Sequence, residues 1–274
     1  MSELDEATRA FSPSCWVPGK TRDEVINEFV TEFKEAYDGL RTYEKLVKEE
    51  DIPYGQEEHQ KVDVWGEVKD KLFIFFHGGY WVEGDRKSCL TPALCALKSG
   101  YAFASVGYRL AKDGVTLTDS VEDAVKGVEF LLERYPNAST IVVGGHSAGA
   151  LLAFHAVTRV RNPRIKGMAL VAGCYFLEEL VNTDIGKDVA LTAEQAKQNS
   201  CDISKLDGLN LKNWDFIAYQ EAPKLIEQNE KFVAESEDTH AVKFSDLSHY
   251  TIMTKMMDPK AGVFMAMADF LTSF

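Results

Sequence analysis

The pentapeptide Gly145-His146-Ser147-Ala148-Gly149 sits between two apolar runs. Before it, Ile141-Val142-Val143 reads as a short buried strand. After it, Leu151-Leu152-Ala153-Phe154 opens an apolar helix. Strand, tight turn with a central serine, then helix is the context of a nucleophile elbow, which holds the hydroxyl out of the sheet on a strained backbone. Gly145 and Gly149 leave room for strand and helix to meet. The competing reading is a glycine-rich turn with a structural serine.

A serine hydroxyl becomes a nucleophile when a base takes its proton. In the elbow arrangement the chain order is serine, acid, histidine, so the base follows the last strand. His249, in Asp246-Leu247-Ser248-His249-Tyr250, follows a strand expected to end at Phe244. The other histidines fit worse. His59 precedes the sheet, His77 belongs to another motif and His155 lies inside the helix after the elbow. His240 opens the last strand, and His146 adjoins the nucleophile. The acid should follow the preceding strand, Trp214–Tyr219. Glu221 stands at that strand's C-terminal edge. Glu227 is a turn or more into the next helix, Asp215 is at the wrong end of the strand, and Asp246 competes from beside His249. The acid's work is to fix the imidazole tautomer and stabilise the imidazolium. His77-Gly78-Gly79 follows a central strand, and its two glycines can aim backbone N–H groups at an oxyanion; the N–H of Ala148 would complete the hole. No metal-ligand cluster, phosphate loop or dinucleotide fingerprint competes.

These residues need a frame, and the hydrophobic pattern supplies one. Residues 1–20 read as an extended arm anchored by Phe11 and Trp16. Thr21 with Glu24 reads as a capping box for a helix carrying Val25, Ile26, Phe29, Val30 and Phe33. A second helix is expected over Tyr37–Lys48 and a turn at Asp51–Gly55. Lys61–Gly66 alternates as a strand, whereas Lys71–Phe76 is continuously apolar, as a strand buried on both faces is. Helix over Thr91–Lys98, strand over Tyr101–Val106, helix over Ser120–Arg134, the elbow, and strand over Arg164–Gly173 follow. Residues 175–212 break the alternation and read as a cap. Strand Trp214–Tyr219, helix Pro223–Ala234, strand Ala241–Phe244 and helix Met253–Phe270 close the chain. Alternating strands and helices predict an α/β fold: one domain over 1–274, with a mostly parallel sheet covered on both faces.

Composition narrows the function classes. At 274 residues and 45% hydrophobic content, a sizeable core is within reach. A net charge of −13 argues against nucleic acid and anionic membrane surfaces as partners. Five scattered cysteines without a C-x-x-C are expected to be reduced. Met1–Glu6 has no apolar core, so no signal peptide is expected, and no apolar run has membrane-spanning length. A cytoplasmic location is expected, with the nucleus as its alternative. The one protein partner in view is a second copy, as a homodimer.

The sequence resembles the α/β-hydrolase superfamily and, within it, the esterases related to hormone-sensitive lipase. Tyr108-Arg109-Leu110-Ala111 with Asp119 and Asp123 looks like that branch's segment after the strand. The closer resemblance is to the kynurenine formamidase (arylformamidase) family. It is carried by His77-Gly78-Gly79-Tyr80-Trp81, by Pro13-Ser14-Cys15-Trp16-Val17, and by Tyr54-Gly55. It spans nearly the whole chain. The family's acid segment, D-S-P followed four residues later by Q, is matched by Glu221-Ala222-Pro223 and Gln228. Glu stands where the family has Asp. The resemblance implies hydrolysis of N-formyl-L-kynurenine to formate and L-kynurenine, without a cofactor. Tyr80, Trp81 and Phe176 are then expected to wall an aromatic cleft for the aryl leaving group. A short-acyl carboxylesterase of the same fold, and a silent ligand-binding member, are the competing readings. Silent members usually lose the serine or the histidine, and both are present here.

Overall fold

The computed structural model describes residues 4–274; Met1, Ser2 and Glu3, part of the acidic N-terminal stretch, lie outside the described residues. Strands β1 (Lys48–Pro53), β2 (Lys61–Trp65), β3 (Lys71–Phe76), β4 (Ala102–Val106), β5 (Thr140–His146), β6 (Ile165–Val171), β7 (Lys212–Gln220) and β8 (Thr239–Ser248) form one sheet. Their spatial order is β1-β2-β4-β3-β5-β6-β7-β8. From β4 to β8 every pairing is parallel; β1–β2 and β2–β4 are antiparallel.

β3 shows why the centre of the sheet reads so clearly. Leu72, Ile74 and Phe76 point to one core and Phe73 and Phe75 to the other, all fully buried. A strand covered on both faces has no polar side, so it is apolar throughout. The first core holds α4 (Leu117–Arg134), α5 (Ala148–Val160) and α8 (Pro223–Glu235). The second holds α2 (Arg22–Arg41), α3 (Ala93–Lys98), α9 (Thr251–Thr254) and α10 (Gly262–Thr272). No helix among the described residues is long and apolar enough to cross a membrane. No cysteine is paired, and all but Cys15 are buried.

Several elements differ from the sequence-based expectation. The arm holds a short helix, α1 (Glu6–Ala10), capped by Asp5, and a 3₁₀ turn at Pro13–Cys15. The expected helix over Tyr37–Lys48 is absent: α2 continues to Arg41, and Lys48–Pro53 is the edge strand β1, with the turn following it. β8 runs four residues past Phe244, so His249 follows it directly. The expected helix over Met253–Phe270 is broken around Pro259, which cannot donate a helical hydrogen bond and forces Asp258 into an extended conformation. Residues 175–212 contain 3₁₀ turns at Glu178–Asn182 and Ile203–Leu206 and two short helices, α6 (Asp184–Asp188) and α7 (Ala193–Asn199).

Candidate active site

Ser147 occupies the sharp turn between β5 and α5, with φ 55° and ψ −123°. A non-glycine residue there costs on the order of 1–3 kcal/mol and is held by its surroundings. Those surroundings are tight. A methyl on Gly145 would lie 2.1 Å from the Gly149 carbonyl oxygen, and one on Gly149 would lie 2.3 Å from the Phe76 oxygen. Both glycines are therefore required by the close approach of β5, α5 and β3. The Ser147 amide donates to Val171 O at 2.9 Å, which ties the turn to β6.

His249 stands just beyond β8, and Glu221 just beyond β7, at the same edge of the sheet. His249 Nδ1 donates to Glu221 Oε2 at 2.5 Å, and both side chains are almost completely buried. The other Glu221 oxygen accepts from the Ala222 amide at 2.7 Å. Burial pushes the His249 imidazole below its ordinary pKa, so it is neutral and Nε2 is free to accept a proton. Burial pushes the Glu221 carboxyl up, and the Ala222 N–H pulls against it. The other acids lie elsewhere. Glu227 pairs with Lys224 at the surface, Asp246 is exposed on β8, and Asp215 accepts from the Tyr175 hydroxyl at 3.0 Å. No hydrogen bond joins the Ser147 hydroxyl to His249 among the described residues, but both line one cleft of about 670 Å³. Such hydrogen bonds are often long in unliganded sites and tighten when substrate binds.

Gly78 and Gly79 line the same cleft, and a methyl on Gly78 would lie 2.9 Å from Ser147 Cβ. Gly79 has φ 104°, which favours glycine. Among the described residues the amides of Gly78, Gly79 and Ala148 donate no hydrogen bond within the protein. His77 orients this loop from below. Its Nδ1 donates to Gly78 O at 2.7 Å, its ring stacks on Tyr108 at 4.3 Å, and the Tyr108 hydroxyl donates to His77 O at 2.9 Å. With the Gly78 carbonyl held in this way, the loop's amides are left for the cleft. Burial lowers the His77 pKa to about 4, so the ring stays neutral.

The three expected cleft aromatics separate. Tyr80 lines the cleft, and its hydroxyl donates to Phe11 O at 2.5 Å. Trp81 does not line it: the side chain is fully buried behind the elbow and its indole N–H donates to Ala148 O at 3.0 Å. Phe176 faces α8, where Gln228 bonds its backbone and the Lys231 ammonium lies 4.0 Å from the ring centroid. The aromatic wall comes instead from α2, through Phe29, Phe33 and Tyr37, and from Tyr250. The signal for this was present in the sequence: Ile26, Phe29, Val30 and Phe33 make an apolar stripe wider than one packed face, and Val30 is 61% exposed. His146 has a role that its place beside Ser147 did not indicate. Its Nε2 donates to the His249 carbonyl at 2.9 Å and the two rings lie 4.5 Å apart, so it pins the backbone of the base.

A family model described as alpha/beta hydrolase fold matches residues 73–259. The chain is similar to the kynurenine formamidase of Danio rerio, 28% identical over 93% of this chain and 92% of that protein. It is similar to that of Salmo salar, 29% identical over the same shares. A solved structure titled a putative thioesterase, from Silicibacter sp. TM1040, superposes with TM-score 0.80 at 20% identity, covering 95% of this chain and 98% of that one. A hormone-sensitive lipase from a metagenome library superposes with TM-score 0.67 at 15% identity, over 92% and 97%. With a family match over well more than half of its length, and a sheet, elbow and loop arranged as described, the chain belongs to the α/β-hydrolase fold family.

Proposed function

We propose that the protein is a serine hydrolase that cleaves N-formyl-L-kynurenine to L-kynurenine and formate. The observation that carries this reading is the buried Glu221–His249 pair sharing one cleft with Ser147 and three amides that have no partner of their own. The similarity to kynurenine formamidases across 93% of the chain supports the formamide as substrate.

In this reading Ser147 Oγ attacks the formyl carbon while His249 Nε2 takes its proton. The amides of Gly78, Gly79 and Ala148 hold the oxyanion, in a site where fixed donors are worth far more than in water. His249 then protonates the aryl nitrogen, the C–N bond breaks and L-kynurenine leaves. Water, deprotonated by the same imidazole, attacks the formyl ester; the ester C–O bond breaks, Ser147 regains its proton and formate leaves. A formyl carbon carries only hydrogen beyond its carbonyl, so no acyl pocket is needed. The aryl leaving group suits the wall made by Phe29, Phe33 and Tyr37.

The test is formate release from N-formyl-L-kynurenine, run beside p-nitrophenyl acetate, with Ser147→Ala as control. Formamide hydrolysis that vanishes in the variant is the expected result. Ester cleavage alone would move the protein to the general carboxylesterases. Neither activity from folded protein would support the silent-binder reading.

A further inference from the structure

The cleft holds three cations, and they are not equivalent. Lys34 is bonded to Asp38 at 2.6 Å, and Lys87 reaches Glu50 and Asp51. Arg22 forms no ion pair among the described residues, and its Nε is buried from solvent without a hydrogen-bond partner. Arg9, Arg161 and Arg164 also lack a carboxylate among the described residues, but Arg161 and Arg164 donate to backbone carbonyls and Arg9 lies over the Trp16 ring, whereas Arg22 has no such partner. A buried guanidinium N–H left unpaired costs on the order of 1–3 kcal/mol, so a fold keeps one where something else supplies the acceptor.

Its place is fixed by the chain. Arg22 is the first residue of α2, held by the Thr21–Glu24 capping box, in which the Glu24 carboxylate accepts from Thr21 and forms no ion pair with the arginine. The charge lies close enough to Tyr250 to pull that phenol's pKa down against the larger upward push of burial. Tyr250 adjoins His249, and Arg22, Tyr250 and His249 line the same cleft. Glu83, Asp85 and Asp188 also line the cleft without ion pairs, but Glu83 and Asp188 are exposed and Asp85 accepts from the Lys87 and Ser88 amides.

We propose that Arg22 is the anion anchor of the cleft, binding the carboxylate at the amino-acid end of the substrate. This rests on the formamidase reading above and assigns the part of the substrate that the catalytic residues leave unbound. A guanidinium offers a planar fork that matches a carboxylate, and its unpaired Nε is one tine of that fork. Substrates carrying a carboxylate beyond the scissile amide are then selected over uncharged aryl formamides.

The test compares wild type, Arg22→Met and Arg22→Lys on two substrates: N-formyl-L-kynurenine and 2-formamidoacetophenone, which lacks the amino-acid end. The expected result is a fall of roughly 10- to 100-fold in the ratio of the two kcat/KM values for Arg22→Met. The loss should be carried by KM for formylkynurenine, with partial recovery in Arg22→Lys. Equal losses on both substrates would assign Arg22 a structural role and overturn the proposal, as would an unchanged ratio. Calorimetric binding of L-kynurenine, which keeps the carboxylate but lacks the formamide, separates the two proposals. Binding that weakens in Arg22→Met, from a wild type that does not cleave formylkynurenine, would keep the anchor and remove the formamidase reading. Cleavage by wild type with L-kynurenine binding unchanged in Arg22→Met would do the reverse. No binding and no cleavage by folded wild-type protein would remove both.

Discussion

At the scale of single residues, the proposed mechanism gives the acid at position 221 two jobs that substitution can separate. It holds the His249 ring in the tautomer that leaves Nε2 bare, and it balances the imidazolium formed during the reaction. Glu221→Gln keeps the shape and loses the charge, so kcat should fall by roughly 10²- to 10⁴-fold. Glu221→Asp shortens the side chain by one methylene but keeps the charge, and should retain more activity than Glu221→Gln. Steady-state kinetics on either class of substrate checks the order. Burial also sets the pH response. In the proposed mechanism catalysis needs neutral His249, whose pKa burial lowers below the ordinary 6.5, so activity should be lost only as pH falls through that lower value. The acid limb of the kcat/KM profile should therefore lie below pH 6.5. A limb at or above 6.5 would contradict the burial argument.

Asp215 is the same kind of group without a catalytic task. It is fully buried on β7, one oxygen accepts from Tyr175, and the other has no partner. Burial pushes its pKa well above the ordinary carboxylate value. A folded pKa raised above the unfolded one gives stability that is complete below the unfolded value and is lost as pH rises. Asp215→Asn is uncharged at every pH, so it should be more stable than wild type at pH 8, by about 1–2 kcal/mol. The difference should shrink towards pH 4. Urea unfolding at both pH values measures it.

At the scale of elements, the oxyanion loop and the head of α5 must keep their spacing, because the proposed hole takes donors from both. Trp81 spans them: it follows the loop glycines by two residues and donates to Ala148 O from the α5 side. It sits at φ 62°, next to Tyr80 at φ 44°, so the loop is held in a conformation that needs such an anchor. Trp81→Phe keeps most of the buried volume and removes the N–H. kcat should fall by roughly 3- to 30-fold with KM nearly unchanged, since an interaction that shapes the oxyanion site matters most in the transition state. A change confined to KM would place Trp81 against substrate instead.

The same elements show what could be read without coordinates. β3, β5 and β6 are central and are marked by the apolar runs Leu72–Phe76, Ile141–Val143 and Met168–Val171. β1, Lys-Glu-Glu-Asp-Ile-Pro, is an edge strand with mostly exposed side chains, and no apolar period marks it. Beyond Phe244, β8 continues through Ser245 and Asp246, which are polar and exposed, and this break in the apolar pattern hid its last four residues. The break at Pro259 is legible in the sequence, because proline cannot sit inside a helix without removing a hydrogen bond. Glu221 was legible as a candidate because it stands at the C-terminal edge of a strand, and because Glu221-Ala222-Pro223 and Gln228 match the acid segment of the family the chain resembles. The side chains that line a cleft depend on how distant elements close on one another. That is why Phe176 and Trp81, both near the site in sequence, face away from it.

At the scale of the molecule, the cleft is built between the catalytic edge of the sheet and the N-terminal segment that lies over it. Pro13 and Ser14 from the arm, and one face of α2, close the side that the sheet leaves open. α2 is thus asked to do two things with one apolar stripe. Phe33 is 8% exposed and serves both the core and the cleft wall, whereas Val30 is 61% exposed and lines the cleft without joining the core. Substitution should divide these roles. Phe33→Ala should cost about 3 kcal/mol or more of stability through the cavity it leaves. Val30→Ser removes apolar surface from an already open position, so stability should stay within about 0.5 kcal/mol. If α2 walls the substrate cleft, Val30→Ser should still raise KM for the aryl formamide several-fold while leaving kcat near its original value. Thermal unfolding and steady-state kinetics on the two variants decide it. A Val30→Ser enzyme with unaltered KM would mean that α2 packs over the catalytic edge without touching what binds there.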